Sequence, residues 1–284
     1  MTNIGAMIRR EVPPGQVTDL ARGIQGGFDE LWLVEDLPYA GGISQASVVL
    51  EATETVVVGH GVAPAPFRNP AALAMEWATL AELYPGRFAA GIGHGVQAWM
   101  AQIGERVESP LTLLRETIHA VRGLLAGETI TVNGRYVRLE NVALQFPPAQ
   151  VPLVSAGVVG PKSLRLSGEI ADGTILSEGH GPAEIERARQ LTEQGRADAG
   201  RIEPHRLTVF AGFFVGHPGG LAEPNPDAPT GWDAVTLDPG EAISKLQQLI
   251  DAGADAVILV PFGKDQAAQL QLAASEIVPH LMRT

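Results

Sequence analysis

The stretch "TVVVGHGVAPAPFRNPAALAMEWATLAELYPGRFAAGIG" (55–93) contains a complete strand–helix–strand unit. The apolar runs at its two ends have the length and composition of strands that are buried on both faces. Between them, Asn69 supplies a helix cap, Pro70 occupies the first helical turn, and the Pro-Gly pair at 85–86 ends the helix. The stretch therefore predicts two parallel strands joined by a helix.

The same alternation extends in both directions along the chain. The predicted strands are 3–8, 31–36, 55–61, 87–93, 151–157, 173–177, 207–215 and 255–261. A segment with helical spacing of apolar residues follows each of them, and the last such segment is 266–281. Eight strand–helix units in 284 residues favour a single (β/α)8 TIM-barrel domain over residues 1–284. A doubly wound open sheet is the alternative, although it normally needs fewer strands.

Two segments interrupt this regular pattern. The insertion at 127–150 carries "TITVNGRYVRL" (129–139), which predicts a hairpin with a turn at Asn133 and Gly134. The second segment, 217–233, is rich in proline and glycine and follows the seventh strand. Because it is too long for an ordinary connection, it predicts a mobile flap over the barrel mouth.

Composition and charge exclude several classes of protein. The chain has a net charge of −12, no cysteine and 45% hydrophobic residues. Disulfides and thiolate chemistry are therefore excluded, and an acidic surface makes nucleic acid an unfavourable partner. The seven histidines show no metal-binding spacing, so no metal is expected. Without a signal peptide or a long apolar run, we expect a cytoplasmic protein and no membrane partner.

A glycine-rich turn at "GIGHGVQA" (91–98) raises the question of a dinucleotide site. Gly93, Gly95 and Ala98 fit a G-x-G-x-x-A pattern, but that pattern should follow the first strand of its unit and open a helix. Here it follows the fourth strand and leads into a loop. We therefore interpret it as a turn at the catalytic face of a barrel, where glycines allow a flat ligand to approach the backbone.

Other strand ends place chemistry at the same face. Asp36 ends the second predicted strand with a carboxylate, and His94 stands inside the glycine turn. Gly157 and Gly160 precede a helix whose free backbone N–H groups predict an anion site. Lys162 would add positive charge there.

Four segments resemble the luciferase-like monooxygenase family, and within it the branch of methylenetetrahydromethanopterin reductase and other enzymes that use the deazaflavin coenzyme F-420 (F420). The segments are "LWLVED" (31–36), "GVAPAPFRNPAALAMEWATLAELYPGRFAAGIGHG" (61–95), "SPLTLLRETIHAVRGLLAGETITVNGRYVRL" (109–139) and "GPKSLRLSGEIADGTILS" (160–177). The resemblance implies a TIM barrel that binds a flavin or deazaflavin, transfers a hydride and forms a homodimer.

The resemblance also implies particular site residues. It places a non-prolyl cis peptide between Gly61 and Val62 behind the cofactor ring, and it places the cofactor phosphate on the turn 157–160. The cofactor-binding residues it implies are Gly61, Val62, Ala63, Gly93, His94, Gly95, Ala156, Gly157, Val158, Val159, Gly160 and Ser177. The catalytic candidates are His94, Asp36 and His60. We expect His94 to transfer the proton, whereas strand alternation leaves the direction of His60 open.

Two positions depart from the family pattern. Leu37 stands where many deazaflavin enzymes have histidine, and Val96 stands where some have an acid. Three functions follow as hypotheses: an oxidoreductase that uses coenzyme F-420, an FMN-dependent monooxygenase or reductase, and a flavin-binding or deazaflavin-binding protein without turnover. The sequence does not identify the substrate.

Overall fold

A computed structural model of the protein describes residues 1–216, 234–236, 238–263 and 265–283. Each of the eight predicted strands is present and belongs to one sheet. In chain order the strands are β1 (Asn3–Ile8), β2 (Glu30–Leu33), β3 (Val57–Pro64), β4 (Phe88–Gly93), β5 (Ile130–Asn133), β6 (Arg138–Val142), β7 (Val154–Gly157), β8 (Gly173–Leu176), β9 (Arg206–Val215), β10 (Ala234–Thr236) and β11 (Ala256–Pro261).

The sheet closes into a barrel. β1 pairs with β2 on one side and with β11 on the other, and β8 pairs with β9, all in parallel. The eight strands therefore form a ring in the order β1-β2-β3-β4-β7-β8-β9-β11, which confirms the (β/α)8 prediction. The open-sheet alternative is wrong because the β8–β9 pairing joins strands that would be separated in an open sheet. The short strand β10 adds to β9 outside this ring.

Helices cover the outside of the barrel. They are α1 (Val17–Ile24), α2 (Gly42–Ala52), α3 (Pro70–Leu83), α4 (Gln97–Gln102), α5 (Pro110–Leu125), α6 (Pro161–Ile170), α7 (Pro182–Asp198), α8 (Pro239–Asp251) and α9 (Gln266–Leu272). Five of them begin with proline, whose fixed backbone angle suits the first helical turn. The short helix α4 lies where the sequence suggested only a loop. The predicted closing helix 266–281 is shorter than expected, because the chain turns into a π-helical segment at Ala273–Ile277.

The hairpin in the insertion has a longer connection than predicted. Asn133 pairs with Arg138, so residues 134–137 form the connection rather than a two-residue turn at Asn133 and Gly134. The reason is Glu116 on α5, whose carboxylate accepts hydrogen bonds from the three backbone N–H groups at 135–137. This side chain holds the tip of the hairpin against the barrel.

Apolar side chains form two separate cores. The outer core lies between the barrel and its helices and includes Trp77 and Leu114, both fully buried. The inner core fills the barrel and includes Trp32, Phe210 and Ile258. Because the inner core occupies the barrel interior, a ligand can enter only above it, at one end of the strands.

Helices α6 and α7 cross at two glycines. A Cβ atom at Gly168 would lie 2.0 Å from the backbone oxygen of Thr192, and one at Gly195 would lie 2.0 Å from the backbone oxygen of Arg165. The two helix backbones therefore approach at a distance that no larger side chain allows.

The substitution Gly195→Ala tests this crossing. We expect it to lower the free energy of unfolding by about 1–3 kcal/mol, because the new methyl group meets backbone that cannot rotate away. Gly23→Ala on α1 is the matched control, because nothing lies within 4 Å of the added atom and helix propensity improves. Urea unfolding of the three proteins measures the difference. Equal midpoints for Gly195→Ala and the wild type would show that the helices separate without cost.

One sequence prediction cannot be compared with the structure. The segment 217–233, predicted as a flap, lies outside the described residues. Among the residues that are described, no helix is long and apolar enough to cross a membrane.

Candidate active site

Two adjoining cavities open at the carboxyl ends of the barrel strands. The larger has a volume of about 460 Å³ and the smaller about 400 Å³. They share six lining residues: Asp36, Gly61, Val62, Val96, Ser177 and Phe210. The larger cavity extends toward β4 and the start of α6, and the smaller extends toward β1 and β11. Together they form one site with two compartments at the face where barrel enzymes bind their ligands.

Val62 forms the floor of the larger cavity. Cβ atoms added at Gly93 and Gly157 would each lie 2.6 Å from a methyl group of Val62. Only glycine at these two positions therefore leaves room for the valine side chain. The peptide bond between Gly61 and Val62 is cis, as predicted, and the register of β3 against β4 shifts between His60 and Ala63.

Trp32 lies directly below this floor. A Cβ atom at Gly59 would lie 2.2 Å from its ring, and one at Gly61 would lie 2.5 Å from it. The glycines that interrupt the apolar run of β3 thus leave the space that the indole ring of Trp32 occupies inside the barrel. Phe210 contacts the same ring edge-on, with 5.5 Å between ring centroids. This aromatic pair closes the bottom of the site.

Asp36 lies at the mouth, where both cavities meet. Its carboxylate pairs with the guanidinium of Arg10, with 2.9 Å between Oδ2 and Nη1. Arg10 in turn stands over the rings of Tyr39 and Trp99, at 5.1 and 5.7 Å from their centroids. Burial acts to lower the pKa of Arg10, but the hydrogen bond and charge of Asp36 outweigh it and raise the pKa. Arg10 therefore links Asp36 to the aromatic side chains at the mouth.

Glu35 also lines the larger cavity, although the sequence analysis did not select it. Its buried carboxylate accepts two hydrogen bonds from Arg68, at 2.6 and 2.7 Å, and one from the backbone N–H of Gly42. Burial acts to raise its pKa, but the bonds from Arg68 hold the pKa below its ordinary value. Glu35 is thus an ionised side chain that ties the strand end to the loop before α3.

His60 lies on the other side of β3, away from the cavities. Its ring is fully buried and accepts a hydrogen bond from Nε1 of Trp77 at Nδ1, at 3.3 Å. Its Nε2 atom lies 3.6 Å from Glu35. Burial lowers the pKa of His60 to about 4, so the ring is neutral at physiological pH. His60, named in the sequence analysis as a catalytic candidate with its direction left open, therefore lines neither cavity.

His94 does line the larger cavity, at the turn after β4. Burial lowers the pKa of its ring, while the backbone carbonyl of Pro110 acts in the opposite direction. Its Nδ1 atom is buried and has no hydrogen-bond partner in the described part of the chain. The imidazole is therefore neutral near pH 7 and retains an acceptor that a ligand or a rotation of the ring could satisfy.

The loop between β7 and α6 forms the far wall of the larger cavity. Val158 uses its backbone N–H in a bond to the carbonyl of Ile175. The N–H groups of Val159, Gly160 and Ser163 donate to no acceptor among the described residues, and no side chain caps the helix. These groups and the positive end of the helix dipole could hold an anion, with Val158 itself excluded as a donor.

The structure brings most of the predicted residues together. The predicted residues that line the cavities are Asp36, Gly61, Val62, Gly93, His94, Gly95, Gly157, Val158, Val159, Gly160 and Ser177. Besides His60, two predicted residues do not line them. Ala63 and Ala156 point away from the barrel interior and pack in the outer core.

Glu178 is a second acid that the sequence analysis missed. It lines the smaller cavity together with Arg9 and Arg10. The signal was present, because Glu178 follows an apolar strand as closely as Asp36 does. The sequence analysis assigned the residues from 183 onward to a helix and did not consider the short connection before it. No group of three or more potential metal ligands occurs among the described residues.

These residues fit a flat, phosphorylated ring system. The glycines at 93 and 157 leave the backbone open beside the Val62 floor, and the start of α6 offers free donors for an anion. The larger cavity is mostly apolar on its lining, as a ring requires, and Asp36 and His94 add polar groups at its rim. The smaller cavity leaves space for a second molecule beside the ring.

The chain belongs to the luciferase-like monooxygenase family, whose profile matches residues 1–222. A 5,10-methylenetetrahydromethanopterin reductase from Methanolobus tindarius is 34% identical over 187 residues. That match covers 66% of this chain and 56% of the relative, so this chain spans about half of that protein's length.

Solved structures share the fold over the whole chain. An F420-dependent secondary alcohol dehydrogenase in complex with an F420–acetone adduct superposes with a TM-score of 0.86 at 19% identity, covering 99% of this chain and 100% of that one. The oxygenating constituent of 3,6-diketocamphane monooxygenase from Pseudomonas putida, in complex with FMN, gives 0.78 at 16% identity, covering 100% and 99%. At these identities the likeness establishes the barrel alone.

Proposed function

We propose that the protein is an oxidoreductase that transfers a hydride between the deazaflavin coenzyme F-420 and a small organic substrate. The observation that carries this proposal is the two-compartment site above the Val62 floor. A relative of the chain, named a 5,10-methylenetetrahydromethanopterin reductase, supports it. One compartment has the shape and donors for the cofactor. The other has space for the substrate next to it.

The cofactor would rest on Val62, with its phosphate at the start of α6. Val159, Gly160 and Ser163 would donate their backbone N–H groups, and Lys162 lies in the same helical turn. When bound, the deazaflavin supplies a carbon that gives or accepts a hydride. The protein's contribution is to orient that ring and to exclude water from the floor of the site.

Asp36 and His94 would flank the reacting edge of the ring. The carboxylate of Asp36 accepts a hydrogen bond from Arg10, and its remaining lone pairs can accept hydrogen bonds from a ligand. His94 is neutral near pH 7, so it can accept a proton or orient a polar group. We therefore propose binding and orienting roles for both residues.

An FMN-dependent monooxygenase or reductase is the second candidate. The fold shared with an FMN-bound monooxygenase constituent favours it, since the same barrel accepts that flavin. A protein that binds the cofactor without turnover is a third, kept open by Leu37 and Val96 at positions that the family often gives to histidine or acid. The identity of a copurifying chromophore distinguishes the first two candidates from each other. Reoxidation of the reduced cofactor distinguishes both of them from the third.

A homodimer in the cytoplasm completes the proposal. Exposed apolar side chains on α2 and α3 support it: Val48, Met75 and Leu83 are 44%, 61% and 64% exposed. A second copy of the chain that packed against these two helices would cover these side chains.

The function can be tested directly on the purified protein. We expect the absorbance spectrum and mass of any copurifying chromophore to identify coenzyme F-420. Reoxidation of the reduced coenzyme is then measured with acetone, with a cyclic iminium compound and, in the reverse direction, with 2-propanol and glucose 6-phosphate. His94→Ala should lower turnover at least 10-fold and leave cofactor affinity nearly unchanged. Reoxidation of reduced FMN alone would support the second candidate instead.

A further inference from the structure

The carboxyl group of Glu178 is set apart from the other acids of the site. It follows β8 at the carboxyl end of the barrel and lines the smaller cavity with Met7, Val34 and Phe262. These neighbours are apolar, whereas Arg9, Arg10 and Asp36 place charges in the same cavity. No side chain among the described residues donates a hydrogen bond to Glu178, so its carboxyl is free to face a molecule in this cavity.

Asp36, Glu35 and His94, the other proton-transfer candidates of the site, have surroundings different from those of Glu178. Asp36 is paired with Arg10, and Glu35 is paired with Arg68. Each carboxylate therefore accepts hydrogen bonds from a guanidinium, and in Glu35 these bonds hold the pKa below its ordinary value. His94 is neutral, so only a small fraction of it is in the protonated form that an acid catalyst requires. Glu35 and His94 are therefore poor proton donors, and Asp36 is engaged by Arg10.

Glu178 differs because its environment favours the protonated form. Burial raises the pKa of its carboxyl, and the negative charge of Asp36 acts in the same direction. Its own backbone N–H and the positive charges of Arg9 and Arg10 act against this, but the pKa remains raised. Arg9 also donates a hydrogen bond to the carbonyl of Pro261 and lies over the ring of Phe262.

We propose that Glu178 is the acid that gives a proton to the substrate, an inference that rests on the hydride-transfer function proposed above. The substrate class that this requires is a compound with a polar double bond, C=O or C=N, in the smaller cavity. As a hydride from the reduced deazaflavin reaches the carbon, the π electron pair moves to the oxygen or nitrogen. That atom takes the proton of Glu178, and the resulting carboxylate is reprotonated from water at the open mouth.

The same geometry gives the reverse reaction. Oxidation of an alcohol or amine removes a hydride from carbon and a proton from the heteroatom, and the carboxylate of Glu178 accepts that proton. Reduction therefore needs Glu178 protonated and slows as the pH rises through its pKa. Oxidation needs it ionised and slows as the pH falls. The opposite pH dependences distinguish a proton-transfer role from a structural one.

The test uses Glu178→Gln, which keeps the size of the side chain, and Glu186→Gln as a control on the exposed face of α7. With acetone as probe, whose oxygen must take up a proton when the hydride arrives, we expect Glu178→Gln to lower kcat about 10²–10⁴-fold. The fall of kcat at high pH that the wild type shows should be absent in Glu178→Gln. The dissociation constant for oxidised coenzyme F-420 should stay within a factor of three, and Glu178→Asp should restore part of kcat. The control should match the wild type.

A second measurement does not depend on turnover. Infrared difference spectra of the protein without cofactor, recorded over a pH series, report protonated carboxyl groups through their C=O stretch. We expect a protonated carboxyl that persists above the usual range for glutamate in the wild type and is missing in Glu178→Gln.

Two results would overturn the proposal: a Glu178 carboxyl that is already ionised in the usual range, or an unchanged kcat in Glu178→Gln. Failure of the wild type to bind coenzyme F-420 would instead refute the proposed function, and the infrared series would still decide the protonation state of Glu178.

Discussion

Val159→Asp is expected to weaken the binding of coenzyme F-420 about 100-fold. The backbone N–H of Val159 is free beside the start of α6, and its side chain is 48% exposed at the cavity wall. A carboxylate there would lie at roughly 5 Å from a bound phosphate, which costs about 3 kcal/mol at an effective dielectric constant of about 20. That energy corresponds to about two orders of magnitude in the dissociation constant.

Val159→Asn is the matched control, because it has the same shape as aspartate and no charge. We expect its dissociation constant to stay close to that of the wild type, as measured by quenching of cofactor fluorescence. Val158 would be the wrong position for this test, since its side chain is only 4% exposed and a charge there would destabilise the outer core. Equal affinities for the aspartate and asparagine variants would place the phosphate elsewhere.

Arg68→Met is expected to lower the free energy of unfolding by about 3–5 kcal/mol at pH 7, because it leaves the buried carboxylate of Glu35 without its partner. The side chain of Glu35 is only 5% exposed, and Arg68 forms two of its hydrogen bonds. The fully buried His60 lies 3.6 Å from the same carboxylate. The effect should therefore extend to the strand that carries the Val62 floor.

The double variant Glu35→Gln/Arg68→Met separates lost charge pairing from lost packing. We expect it to recover most of the stability, since glutamine needs no counter-ion. In Arg68→Met alone, the folded-state pKa of Glu35 rises above its unfolded value because burial is no longer opposed by Arg68. Its deficit at pH 7 should then shrink as the pH falls toward 5. A deficit that is independent of pH would mean that the loss is one of packing.

Strands and their order could be predicted because each buried parallel strand is a short apolar run between turn residues. β4 and β8 are clear cases, with every residue buried. The glycines at 61, 93 and 157 were also visible in the sequence, since glycine at a strand end indicates close backbone approach. The structure adds their cause: these positions face Trp32 and Val62.

The directions of side chains could not be predicted in the same way. The register shift in β3 turns Gly61 and Val62 to the inside in succession, so alternation does not tell which face His60 occupies. Pairing across the barrel is equally hidden, because Glu35 and Arg68 are 33 residues apart. Whether an acid such as Glu178 keeps its proton depends on that three-dimensional surrounding and not on its place in the sequence.

The central claim is that the larger cavity binds a deazaflavin, and paired titrations test it most directly. The purified protein, freed of any copurified chromophore, is titrated with oxidised coenzyme F-420 and, separately, with oxidised FMN. We predict that coenzyme F-420 binds with one molecule per chain and at least 10-fold more tightly than FMN, a difference of about 1.4 kcal/mol. Tighter binding of FMN, or no binding of either cofactor, would contradict the claim.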